Sequence, residues 1–308
     1  MIKKLSQFLE EFEVSRLNEA IEEVDDAGRT LSFEERFKKF KEFLSGKSPA
    51  GAGLPPDSEV SAPREYEKGS GDFSNIDKMI ELVVKYLNKH GITNPDVQRA
   101  ILATIGKESG FTATREASYK STSPARIREV FGSRFAGLSD EEINNIKKDD
   151  NQFWEKVYGG EFGRKQLGNI QPGDGAKYVG RGFNGLTGRS NYQTYTNMLK
   201  KAGTNVDLVA NPELLEKSPE VSAEANALYF LSALSNPTIK RKYGNSNPND
   251  FKDFGTALKA VVNANAGPGT DITRGFAKQS YDAAIAANNK MGTKFDRAIS
   301  SSPESRTA

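Results

Sequence analysis

The chain has 308 residues, 36% hydrophobic and 27% charged, which suits one sizeable soluble domain with an appendage. It has no cysteine and a single histidine, His90, which excludes disulfides, thiolate chemistry, a multi-histidine metal site and a Ser-His-Asp triad built elsewhere. A net charge of +2 is too small to argue for nucleic acid, and no apolar run approaches the roughly 18–20 residues that span a bilayer.

Residues 1–45 read as an acidic helical arm. Ile2, Leu5, Phe8, Leu9, Phe12, Leu17 and Ile21 recur at helical spacing, and Phe33, Phe37, Phe40 and Phe43 line one side of a second stretch. The opening MIKKLSQFLEEFE mixes glutamates into its apolar positions and lacks the uninterrupted core of a secretion signal. Residues 46–71, rich in Gly, Pro, Ser and Ala, read as a linker. Residues 72–290 have the continuous texture of a globular, predominantly helical domain. Helices are expected near 77–90, from Asn94-Pro95 to Glu108, and near 124–131, 141–148, 191–202, 221–234, 253–262 and 276–287. His90, beside a glycine, is expected at a helix end. A strand is expected at 177–180, with a partner elsewhere, and residues 291–308 should form a frayed polar tail. Acidic residues dominate positions 1–26 while basic ones recur later, as suits a protein that approaches an anionic polymer.

Ile101 and Glu108 are seven residues apart, almost two turns at about 3.6 residues per turn. Glu108 is therefore expected on the face of Val97 and Ile101, where desolvation would raise its pKa into the range of a general acid. Ser109-Gly110-Phe111 breaks the helix just beyond, so the acid would look into a cleft. A carboxylate paired with an arginine, or capping a loop, is the alternative. A glycosidase needs a second carboxylate, and Glu116 follows in the next loop. Glu129 competes for that role, although Ile127, Val130 and Phe131 point inward around it and leave it on the solvated side.

Gly180-Arg181-Gly182-Phe183-Asn184-Gly185 satisfies G-x-G-x-x-G, but the preceding PGDGAKYV is no buried strand and no clear helix follows. A tight turn that lets the backbone and Arg181 approach a ligand explains it better. Asn184 on the same turn is a further expected substrate contact.

Tyr178-Val179-Gly180-Arg181-Gly182, Leu186-Thr187-Gly188-Arg189 and Asn191-Tyr192 resemble the Y-x-G-R-G…L-T-G-R-x-N-Y signature of glycoside hydrolase family 19, the chitinases and phage lysozyme-like endolysins. Four other segments resemble that family in the same order. They are Glu108-Ser109-Gly110-Phe111; Tyr119 with Val130-Phe131 and Arg134-Phe135; Asp207-Leu208-Val209 with Asn211-Pro212-Glu213-Leu214-Leu215; and Val262-Asn263 with Gly267 and Arg274. The resemblance implies an α+β, mainly helical, lysozyme-like fold with a small β element and a substrate groove. It implies Glu108 as general acid, Glu116 as base, Thr187 holding the attacking water, and Tyr119, Arg181, Asn263 and Arg274 contacting or supporting the substrate. Thr187 as a turn residue, Asn263 as a helix end and Arg274 as a structural ion pair remain alternatives.

Two departures stand out. Gly185 occupies the place of a glutamine before Leu-Thr, and the acid segment is one residue shorter than the phage E-S-x-G-F pattern. The absence of cysteine sets the chain apart from plant chitinases. The expected activity is inverting hydrolysis of the peptidoglycan glycan strand without metal or cofactor. Chitin hydrolysis and a non-catalytic wall-binding or virion protein are the alternatives. Residues 1–11 also resemble the short acidic leaders that direct proteins into the heads of large tailed phages. This implies a virion partner and packaging in the virion; a partner-binding helix or a host-side toxin, with the chain in the host cytoplasm until lysis, is the alternative.

Overall fold

The computed structural model describes residues 74–112, 115–245, 247–267 and 270–302. The expected arm (1–45) and linker (46–71) lie outside them, as do residues 303–308. Among the described residues the fold is predominantly helical.

Most helices begin where a side chain satisfies the otherwise unpaired amides of a first turn. Asn75 caps α1 (Ile76–Lys89), and Asn94 caps α2 (Pro95–Ser109), where Pro95 loses nothing because its position needs no donor. Asn94 also donates to the carbonyls of Asn249 and Phe251, which anchors the start of α2 to a distant loop. Ser123 caps α3 (Pro124–Phe131), and a reciprocal Ser139–Glu142 capping box opens α4 (Asp140–Ile146). α5 (Asp150–Tyr158), capped by Asp149, leads to a single turn, α6 (Gly160–Phe162), and a π turn (Gly163–Leu167). A second single turn, α7 (Asp174–Lys177), precedes α8 (Arg189–Lys201) and α9 (Leu214–Lys217). Ser218 caps α10 (Pro219–Leu234), Asn236 caps α11 (Pro237–Tyr243) and Asp253 caps α12 (Phe254–Ala266). The last helix, α13 (Gly275–Ser301), runs for 27 residues, about 40 Å.

Three apolar clusters hold these helices together. The main one joins α1, α2, α10, α12 and α13 through residues such as Ile80, Leu87, Ile101, Phe230, Val261 and Phe295. The second is aromatic, with Phe131, Phe135, Phe153, Trp154 and Tyr158 around α3 and α5. The third packs Tyr178, Tyr192, Leu199 and Leu208 against α10. α10 serves two clusters, presenting Ala223, Ala227 and Phe230 to the first and Val221 and Ala225 to the third. A helix apolar all round is buried.

Two expectations are corrected. Residues 177–180 form no strand: Lys177 ends α7, and β pairing among the described residues is confined to one antiparallel bridge between Arg181 and Leu186. The supposed tail from residue 291 is helical as far as Ser301, because Phe295 and Ala298 keep the apolar spacing and are buried in the main core. His90 caps the end of α1 as expected, and its Nε2 lies 3.0 Å from the buried carboxylate of Glu224.

Candidate active site

Glu116 lies at the junction of the second and third clusters. Its backbone N–H donates to the carbonyl of Gly180 at 2.8 Å, and the Gly180 N–H returns a bond to Glu116 Oε2 at 3.3 Å. Tyr158, in the last turn of α5, donates its hydroxyl to both carboxylate oxygens, at 2.9 and 3.0 Å. That hydroxyl is fixed from behind, because the Tyr158 ring stacks on Trp154 at 5.5 Å and the residue is only 4% exposed. Asn169 completes the frame. Its amide donates to the Tyr158 carbonyl and accepts from the Arg189 N–H, both at 2.8 Å, tying the end of α5 to the start of α8.

A side chain at position 180 would press on the site. A Cβ there would stand 3.2 Å from Glu116 Oε2 and 3.4 Å from Thr187 Oγ1, tighter than the carboxylate could accept without shifting. The glycine thus lets Glu116 Oε2 and Thr187 Oγ1 both border the space that its side chain would fill. The Thr187 hydroxyl donates to the Gly185 carbonyl at 2.8 Å, which leaves its lone pairs free to accept.

Burial pushes the Glu116 carboxyl above its ordinary pKa of 4.5, against the opposing pull of Tyr158, the Gly180 N–H and Arg115. The same burial, reinforced by the Glu116 charge, drives Tyr158 well above 10 and also raises Tyr119. Both phenols are therefore proton donors at neutral pH. Tyr119 stacks on Phe153 at 5.1 Å and meets Phe131 edge-on at 5.0 Å, which fixes its ring against the aromatic cluster.

Glu108 differs from expectation. It is exposed, and its Oε1 accepts from the Lys107 ammonium and from Asn265 Nδ2, the latter at 3.0 Å. The heptad spacing to Ile101 fails as a guide because burial on α2 varies along the axis, not around it. Every position from Ala100 to Ile105 is buried, and the helix emerges from the core at its last turn. Gly110, at φ 60°, then reverses the chain, and Phe111 follows in the same left-handed region at φ 65°. A non-glycine residue there costs about 1–2 kcal/mol. Phe111 is held by burial against Phe183 and Phe295.

The other expected site residues divide. Glu129 is exposed and paired with Arg126 at 2.5 Å, on the solvated side of α3 as its neighbours predicted. Arg181 does not face a ligand: it is 6% exposed and bonds inward to the Lys177 carbonyl at 2.7 Å and to Tyr192 at 3.2 Å, with Glu216 near its Nε. Asn263 is fully buried, and all four of its hydrogen-bonding positions are used, by Gly267, Thr270, Lys242 and Tyr243. It clamps a loop and has no capacity left for a sugar in this conformation. Arg274 is 83% exposed and pairs with Asp271 at 2.9 Å. Asn184 turns its amide inward, where neither polar atom has a partner among the described residues.

Sequence reasoning missed Tyr158, Lys107 and Asn265. Asn265, two places after Asn263 in the same segment, was within reach of the motif. Tyr158 carried no signal, since its relation to Glu116 exists only in the packed fold. Among the described residues no cluster of His, Asp and Glu could hold a metal ion, and no helix is long and apolar enough to cross a membrane. Compared with known proteins, the chain matches no family model and no curated protein.

Proposed function

We propose that this chain is a glycoside hydrolase that cuts the glycan strand of bacterial peptidoglycan, with Glu108 as general acid and Glu116 as the base that activates water. The supporting observation is the meeting of Glu116, Gly180 and Thr187. It joins two segments 64 residues apart whose residues separately resemble the same hydrolase family. A water that gives one proton to Thr187 Oγ1 and the other to Glu116 turns a lone pair outward, toward an anomeric carbon. Attack by such a water inverts the sugar and calls for carboxylates roughly 6.5–9.5 Å apart in the productive complex. The fold is then read as lysozyme-like, with the glycan lying between Glu108 on the main bundle and Glu116 beside the aromatic cluster.

One observation favours a second assignment. Glu116, not Glu108, is the desolvated carboxyl, so an exchange of acid and base roles suits its raised pKa. The pH–rate profile separates the two. With Glu116 as base, the rate climbs as pH rises through its elevated pKa; with Glu116 as acid, the rate falls there.

The decisive experiment is mass spectrometry of muropeptides released from purified sacculi by the wild type and by Glu108→Gln. Loss of a positioned acid or base costs about 10²–10⁴-fold, so the variant should release at least 100-fold less while keeping its fold. Undiminished release overturns the catalytic assignment of Glu108. Soluble sugars from chitin but not from sacculi would move the substrate to chitin. Binding to sacculi with no new reducing ends would make the chain a wall-binding protein.

A further inference from the structure

We infer that Lys107 and Asn265 are positioning residues that turn the Glu108 carboxyl so that Oε2 is the oxygen exchanging a proton with the glycosidic bond. The inference rests on the hydrolase reading above, with Glu108 as acid. Both hydrogen bonds to this carboxyl, from Lys107 Nζ and Asn265 Nδ2, fall on Oε1. Among the described residues none falls on Oε2. The donors come from different helices, Lys107 from the last turn of α2 and Asn265 from the last turn of α12.

Lys107 is no ordinary surface lysine. Its side chain is 12% exposed, and its ammonium also reaches Ser280 Oγ at 3.2 Å, a residue of α13 that is itself 6% exposed. Two helices, α2 and α12, therefore supply donors to one carboxylate oxygen, and α13 steadies the lysine through Ser280. The terminal torsion of a glutamate is broad and soft when free, but rotation here would break two bonds anchored on separate elements. An oxygen that already accepts from an ammonium and an amide is the carbonyl-like one, so the acid's proton resides on the other. Acid catalysis depends on geometry before pKa, and a misplacement of about 1 Å can cost about 100-fold.

The test uses the full chain on purified sacculi, with kcat and KM measured separately for Lys107→Met, Lys107→Arg, Asn265→Ala and the Lys107→Met/Asn265→Ala double variant. Each of Lys107→Met and Asn265→Ala should lower kcat about 10–100-fold with KM within about twofold, since neither residue binds sugar. Their combined loss should fall short of the product of the single losses, because both act on one oxygen. Lys107→Arg, which restores charge and donor, should recover most of the lost kcat. Unchanged kcat in both single variants, a rise in KM alone, or an Arg variant as damaged as the Met variant would overturn the inference. If Lys107→Met does not fold, the half-buried Asn265→Ala decides by the same criteria. A wild-type chain inactive on both sacculi and chitin overturns the hydrolase reading itself. An active wild type with unaffected variants overturns only the positioning role.

Discussion

A carboxylate taken out of water is destabilised unless donors replace its lost hydration. Glu116 has Tyr158 and the Gly180 N–H, yet burial outweighs them and its pKa stays above 4.5. The folded state therefore binds this proton more tightly than the unfolded chain does. The associated stability is fully present below pH 4.5 and is lost as pH rises through the folded value. Glu116→Gln removes the charge and keeps the shape, so it should melt above the wild type at pH 7, by roughly 2–4 °C for each 1 kcal/mol of relief. The gain should vanish as pH falls below 4.5. Calorimetry at neutral and acid pH checks this; a variant less stable at pH 7 would mean that the hydrogen bonds outweigh burial after all. Residue types at this scale were readable, directions were not. Motif spacing picked out Glu116 and Thr187, which share the site. It also picked out Arg181 and Asn263, whose side chains turned out to be committed to the protein interior.

At the scale of elements, α2 and α13 pack tightly at Gly106. A Cβ there would stand 2.5 Å from Met291 Cε, 3.4 Å from Phe111 Cε2 and 3.5 Å from Ala287 Cβ. The methionine tip can move, so Gly106→Ala should stay within about 1 kcal/mol of the wild type, helped by its helix propensity. Gly106→Leu has no such escape, and overpacking of this kind costs about 1–3 kcal/mol. It should lower the urea midpoint and part Lys107 from Ser280; an unchanged midpoint would show the contact to be loose. Helices announced by Asn94-Pro95, Ser123-Pro124 or Ser139-x-x-Glu142 were legible because capping chemistry is local, whereas α11, opened by Asn236-Pro237 in the same way, was not expected. α5 was not, although Phe153, Trp154, Val157 and Tyr158 keep helical spacing, because it follows Lys-Lys-Asp-Asp with hardly a break. α13 looked finished at Asn288-Asn289-Lys290, but its apolar stripe resumes at Met291, Phe295 and Ala298.

At the scale of the molecule, Glu108 sits on the emerging end of a main-core helix, while Glu116 sits where the aromatic cluster meets the third one. No periodicity in the chain reports how three clusters dock, so the partnership of Glu116 with Tyr158 could only be seen after folding. The same arrangement makes a claim about the first 71 residues. Among the described residues the three clusters draw on positions from Met79 to Ala298. Every proposed catalytic residue falls in the same span. Residues 1–45, read from sequence as an acidic helical arm whose first 11 residues resemble a packaging leader, should thus be dispensable for the chemistry. A chain beginning at residue 72 is expected to hydrolyse sacculi with kcat/KM within about twofold of the full chain, a change of only about 0.4 kcal/mol. Its melting temperature should be unchanged. A loss of 100-fold or more, or a collapse of the melting transition, would mean instead that the N-terminal segment completes the core or the groove, and the proposed domain boundary would have to be withdrawn.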